Sequence, residues 1–197
     1  MGLADCRHWV FDMDGTLTVA VHDFDAIRRH LDIPAEADIL GHLASLPAEE
    51  ATAKHAWLLE HERGLALASR AAPGAVALVR ALRERDTRLG ILTRNARELA
   101  LVTLDAIGLG DSFQPEDILG RDEARPKPDP DGLLKLAARW GVAPTRMVMV
   151  GDHRYDLACG RAAGARTALV NQPDNPWPGL ADWHAVDCQA LAGRLAG

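Results

Sequence analysis

The chain has 197 residues, 48% hydrophobic and 25% charged, which is enough for one substantial core with a small accessory unit. Its formal net charge of −6 leaves no basic excess to neutralise a nucleic-acid backbone, yet permits small phosphorylated ligands. No apolar run approaches the roughly 20 residues of a membrane span, and "MGLADCRHWV" shows no basic-then-apolar leader, so a cytoplasmic protein is expected.

In chain order, "HWVF" (8–11) reads as a strand buried on both faces. Residues 20–71 offer only helical patterns: Phe24/Ile27/Leu31, then Ile39/Leu40/Leu43, then a longer run from Ala48 to Ser69 that opens on Pro47 with Glu49 and Glu50 behind it. Pro73-Gly74 closes that stretch. From there amphipathic helices (74–85, 97–107, 131–140) alternate with strand-like "RLGILT" (88–93), "RMVMV" (146–150) and "RTALV" (166–170). The Pro-rich 171–183 reads as an irregular loop, with a short last strand near Ala185-Val186. The expectation is an α/β fold: a parallel sheet with helices on both sides, residues 1–19 and 72–197, into which 20–71 is inserted as a small helical cap.

In an open parallel sheet, ligands bind beyond the carboxyl ends of the strands. The first strand runs into Asp12, Asp14 and Thr16, the second into Thr93, Arg94 and Asn95, and the "RMVMV" strand into Asp152 and Asp156. Lys127 stands in the Pro-flanked turn "RPKPDP", where Pro128 forbids helix. Two carboxylates one residue apart are costly unless something positive sits there, and an oxygen-only ligand set suits Mg²⁺. Asp12 and Asp152 would be its direct ligands, with Asp156 in support. Asp12 as nucleophile would form an aspartyl-phosphate, with Thr93 and Lys127 neutralising and positioning the phosphoryl group. Asp14, beside a like charge, would act as acid and base. Thr16, Arg94, Asn95 and His22, the last where the chain leaves the first motif, are the candidate substrate contacts.

Together "DMDGTLT", "ILTRN", the Lys of "RPKPDP" and "GDHRYD" resemble the four ordered motifs of the haloacid dehalogenase superfamily, in its phosphatase branch. The resemblance spans residues 11 to 156. It implies a Rossmann-like core, Mg²⁺ dependence, the roles given above for Asp12 and Asp14, and the backbone carbonyl of Asp14 as a further metal ligand. The insertion is similar to the caps of phosphoglycolate phosphatases and β-phosphoglucomutases. Two departures bear on substrate identity: "TVAVHDF" follows "DGTL" where many relatives have Asp-Ser, and Arg94 separates Thr93 from Asn95. The family's dehalogenases lack the second Asp, so Asp14 argues against carbon–halogen hydrolysis.

The expected activity is therefore hydrolysis of a small phosphorylated metabolite by a monomer or weak homodimer. A phosphomutase of the same fold and a non-catalytic phospho-ligand-binding regulator are the alternatives. A binder has no need of both a nucleophile and a separate acid, which weighs against the last. Other features carry less. His30, His42, His55 and His61 lack zinc spacing, "GLGDSF" lacks the third Gly of a dinucleotide fingerprint, and Cys6 stands where a myristoylation motif wants Ser or Thr. Cys6, Cys159 and Cys188 read as reduced packing residues.

Overall fold

The computed structural model describes residues 2–20 and 24–195. Among the described residues, β1 (His8–Phe11), β2 (Arg88–Leu92), β3 (Ile118–Leu119), β4 (Met147–Gly151), β5 (Arg166–Leu169) and β6 (Trp183–His184) form a sheet in the order β3-β2-β1-β4-β5-β6. Every pairing is parallel, which gives the expected Rossmann-like α/β architecture. Side chains alternate across the sheet as the pleat requires. Trp9 and Phe11 point into a core under α4 (Ala75–Glu84), α5 (Arg97–Ala106) and α8 (Cys188–Gly193). Val10, Met147 and Met149 point into a second core under α6 (Asp131–Trp140) and α7 (Arg154–Ala163). Burial on both faces is why these strands read as unbroken apolar runs.

Three features differ from expectation. β3 is only two residues long, too short for any periodicity to show. α7 carries two small-residue turns and starts on His153 rather than a usual capping residue; its start is nonetheless boxed, because the Asp156 carboxylate accepts the His153 amide at 3.1 Å. The last strand falls at 183–184, not 185–186. The three cysteines are free and buried, and burial pushes the Cys159 and Cys188 thiols up to about 12, as packing thiols require.

Residues 24–67 form α1 (Phe24–His30), α2 (Ile39–Ala44) and α3 (Ala48–Leu67). They enclose a separate small core of Ile27, Leu31, Ile33, Leu43 and Leu58. Polar ties close it: Lys54 donates to the Leu31 carbonyl at 2.7 Å, and Arg28 Nε donates to the Ala37 carbonyl at 3.1 Å. The chain leaves and re-enters the sheet through paired backbone. Val19 donates to Arg70 and Ala72 to Leu17, each at 2.9 Å. α3 also packs along α5. No helix among the described residues is long and apolar enough to cross a membrane.

Candidate active site

Asp12 lies one residue beyond β1, its amide donating to the Val150 carbonyl at 2.9 Å, so the end of β1 is registered on β4. Gly15 then turns the chain at φ +85°. A Cβ there would lie 2.5 Å from Asp152 Oδ2, so only glycine lets the loop pass that carboxylate. Asn171 Nδ2, from the end of β5, donates to the carbonyls of Gly15 and Thr16 at 2.8 and 2.9 Å. Gln172 Nε2 donates to the Asp152 carbonyl at 3.0 Å. The segment after β5 thus holds both the first loop and the turn after β4.

Lys127, 5% exposed, hydrogen-bonds Asp12 Oδ1 and reaches Asp156 Oδ1 at 2.7 Å. Burial works against its charge, but the two carboxylates outweigh it and its pKa goes up. Burial likewise pushes the Asp12 carboxyl up; Lys127 opposes this, while Asp156 and Asp14 add to it. Asp152 is raised by burial first and by Asp156 second, with the Thr16 hydrogen bond opposing. Two carboxylates therefore share one ammonium, and two more, Asp14 and Asp152, line the same cleft. That surplus of negative charge, with oxygens of Asp12, Asp152 and Asp156 within 4.8 Å of one another, suits a hard divalent cation. Both oxygens of Asp156 are already engaged, by Lys127 and by the His153 amide, so Asp156 is placed to hold its neighbours rather than to bind first.

Above this floor opens a cleft of about 440 Å³, bounded on the far side by Ile27, Ile39, Leu40 and Leu58. Thr93 is buried beneath it, its hydroxyl oxygen accepting the Asn95 amide at 3.1 Å. Arg94 and Asn95 line the cleft; Arg94 Nη2 lies 3.8 Å from Asp38 Oδ1, and Asn95 Oδ1 accepts the Ala96 amide at 2.9 Å. Thr16 departs from expectation. Its side chain is wholly buried and donates to Asp152 Oδ1 at 2.9 Å, which makes it a prop for that carboxylate and not a cleft-facing contact. His22 lies outside the described residues.

Sequence reasoning missed Arg121, His153, Tyr155 and Asn171. Arg121 follows β3 and pairs with Glu62 of α3 at 3.3 Å, with its amide donating to the Asn95 carbonyl at 3.0 Å. His153 and Tyr155 border the cleft from the start of α7, their rings 4.8 Å apart. The rule that ligands gather beyond strand ends, carried on to β3 and β5, points to Arg121 and Asn171.

The chain matches the haloacid dehalogenase-like hydrolases over residues 6–164. It is 32% identical over 178 residues to a haloacid dehalogenase-like hydrolase domain-containing protein of Arabidopsis thaliana, covering 84% of this chain and 71% of that one. It is 34% identical over 137 residues to a phosphoglycolate phosphatase of Nitrosospira multiformis, covering 68% of this chain and 58% of that protein. The crystal structure of a hydrolase from Pseudomonas syringae matches it with a TM-score of 0.74 at 26% identity, over 96% of this chain and 98% of that one.

Proposed function

The chain belongs to the haloacid dehalogenase-like hydrolase family, and on that premise we propose that it is a Mg²⁺-dependent phosphatase acting on a small phosphorylated metabolite through Asp12. What carries this reading is the Lys127 ammonium clamped between Asp12 and Asp156, with Asp152 alongside, at the C-terminal edge of a parallel sheet. Mg²⁺ held by Asp12, Asp152 and the Asp14 carbonyl would supply charge neutralisation for the phosphoryl oxygens and the nucleophile.

The protein's own groups do the rest. A carboxylate oxygen of Asp12, whose ionised form Lys127 favours and burial opposes, attacks phosphorus. The bond to the leaving oxygen breaks, and that oxygen takes a proton from the Asp14 carboxyl. Water then attacks the aspartyl-phosphate, gives its proton to the Asp14 carboxylate, and regenerates Asp12. The Thr93 hydroxyl accepts from the Asn95 amide, so its own proton is free to donate to a phosphoryl oxygen. Residues 20–71 act as the cap, with Arg94, Asn95 and His22 as substrate contacts. The phosphoglycolate phosphatase of Nitrosospira multiformis makes phosphoglycolate a first substrate to assay.

Phosphate release from a panel of monoesters, with EDTA and then with Mg²⁺ restored, tests the reading. Activity should vanish and return, and Asp152→Ala should raise the Mg²⁺ concentration needed for half-maximal rate. Full turnover in chelator would rule out the metal-dependent mechanism.

A further inference from the structure

The wall that the helical segment gives the cleft is largely apolar. Ile39 and Leu40, at the start of α2, are only partly covered by the small helical core and face the cleft beside Ile27 and Leu58. Three guanidiniums reach the cleft among the described residues, and each already has an acid. Arg28 holds Asp25 at 3.1 Å, Arg94 lies 3.8 Å from Asp38, and Arg121 holds Glu62 at 3.3 Å. Two of these acids are held in turn. Asp38 Oδ2 accepts the Gly41 amide at 2.7 Å as the cap of α2, and Glu62 is 13% exposed.

Counting the charged residues that line the cleft, among those described, leads to the same point. Its lining holds the carboxylates Asp12, Asp14, Asp38, Glu62, Asp152 and Asp156 against the cations Arg28, Arg94, Arg121 and Lys127. A divalent cation brings that balance to neutrality, and the phosphoryl group makes it negative again. A carboxylate elsewhere on the substrate would have to displace Asp25, Asp38 or Glu62, or lie unpaired against Ile39 and Leu40. Displacing Glu62, or lying unpaired on the apolar wall, is costly because those places are shielded, while the more exposed Asp25 and Asp38 still compete for their arginines.

Resting on the phosphatase reading, we propose that this site selects phosphomonoesters whose alcohol is uncharged and largely apolar, and discriminates against alcohols that carry a carboxylate. Phosphoglycolate is then a poor substrate, and the alcohol of a good one lies along Ile39, Leu40 and Leu58. A volume of about 440 Å³ falls within the range of ligand-sized pockets and leaves room beyond a two-carbon acid.

The test compares n-alkyl phosphates from ethyl to hexyl with the same chains ending in a carboxylate, phosphoglycolate being the shortest of these, on the Mg²⁺-loaded enzyme. Primary alkyl alcohols differ little in acidity, so leaving-group chemistry is nearly constant along the neutral series. Efficiency, kcat/KM, should rise by about two- to fourfold per methylene in the neutral series. Each carboxylated partner should fall at least about tenfold below its neutral counterpart. Leu40→Arg, with its fold checked by circular dichroism, should narrow or reverse that gap. Hydrolysis of both series with carboxylated members equal or better overturns the selectivity and leaves the phosphatase reading standing. Phosphate release from no member overturns both.

Discussion

At the sheet edge, Asp12 and Asp156 share one buried ammonium, with Asp152 alongside. Toward the helical segment, Arg28, Arg94 and Arg121 each meet an acid that this segment carries, beside apolar side chains that pack among themselves. The sheet edge holds charge under tension and needs a further positive group to relieve it. The helical side is balanced before any ligand arrives. Chemistry that builds negative charge on phosphorus belongs where charge is unbalanced and preorganised. Discrimination among alcohols belongs where a wrong charge finds no free partner.

The sharpest way to break this contrast is at its centre. Asp12→Asn should lower kcat by at least about 10⁴-fold while far-ultraviolet circular dichroism stays unchanged; a folded variant with substantial turnover would remove Asp12 as nucleophile. Next comes Gly15→Ala. Its Cβ would meet the Asp152 carboxylate at 2.5 Å in a left-handed backbone position. Displacing that carboxylate should cost about 10²-fold in kcat/KM and about 1–3 kcal/mol of stability, read by kinetics and urea unfolding.

The charge tension itself should be visible in the metal-free protein. Burial holds Asp12 above its ordinary 3.8, toward about 8, and raises Asp152 as well. In that window the folded state keeps protons the unfolded chain has released, so stability should fall as pH rises from about 4 toward about 8. A Tm series in EDTA should show this decline and Mg²⁺ should flatten it. A Tm that climbs across the same range in EDTA would mean that Lys127 alone compensates the cluster.

The smallest effect tests the balanced side. Glu62→Gln leaves Arg121 without its acid, at a stability cost of about 1 kcal/mol. It should raise kcat/KM for ω-carboxyalkyl phosphates severalfold and leave their neutral counterparts nearly unmoved. Equal changes in both series would show that Arg121 and Glu62 act only to hold α3 on the sheet.

Much of this was legible in the chain alone. Strands buried on both faces announce themselves as continuous apolar runs, and Asp12, Thr93 and Asp152 follow such runs directly, so the sheet, its parallel sense and most of the candidate site at its edge could be read from residue order. Helices 24–30, 39–44 and 48–67 were visible through their apolar spacing. What escaped was too short or too dependent on distant partners. β3 is two residues, and the Arg121 guanidinium meets Glu62 from 59 positions earlier. Thr16 shows the limit most clearly. Its position beside the first motif suggests a ligand contact, yet the tertiary structure turns its hydroxyl onto Asp152, 136 residues away. Sequence spacing determines which residues arrive at a strand end, because the pleat and the strand direction are local. Which of them face the cleft, and which arginines already have partners there, is decided by contacts between segments that only the folded chain brings together.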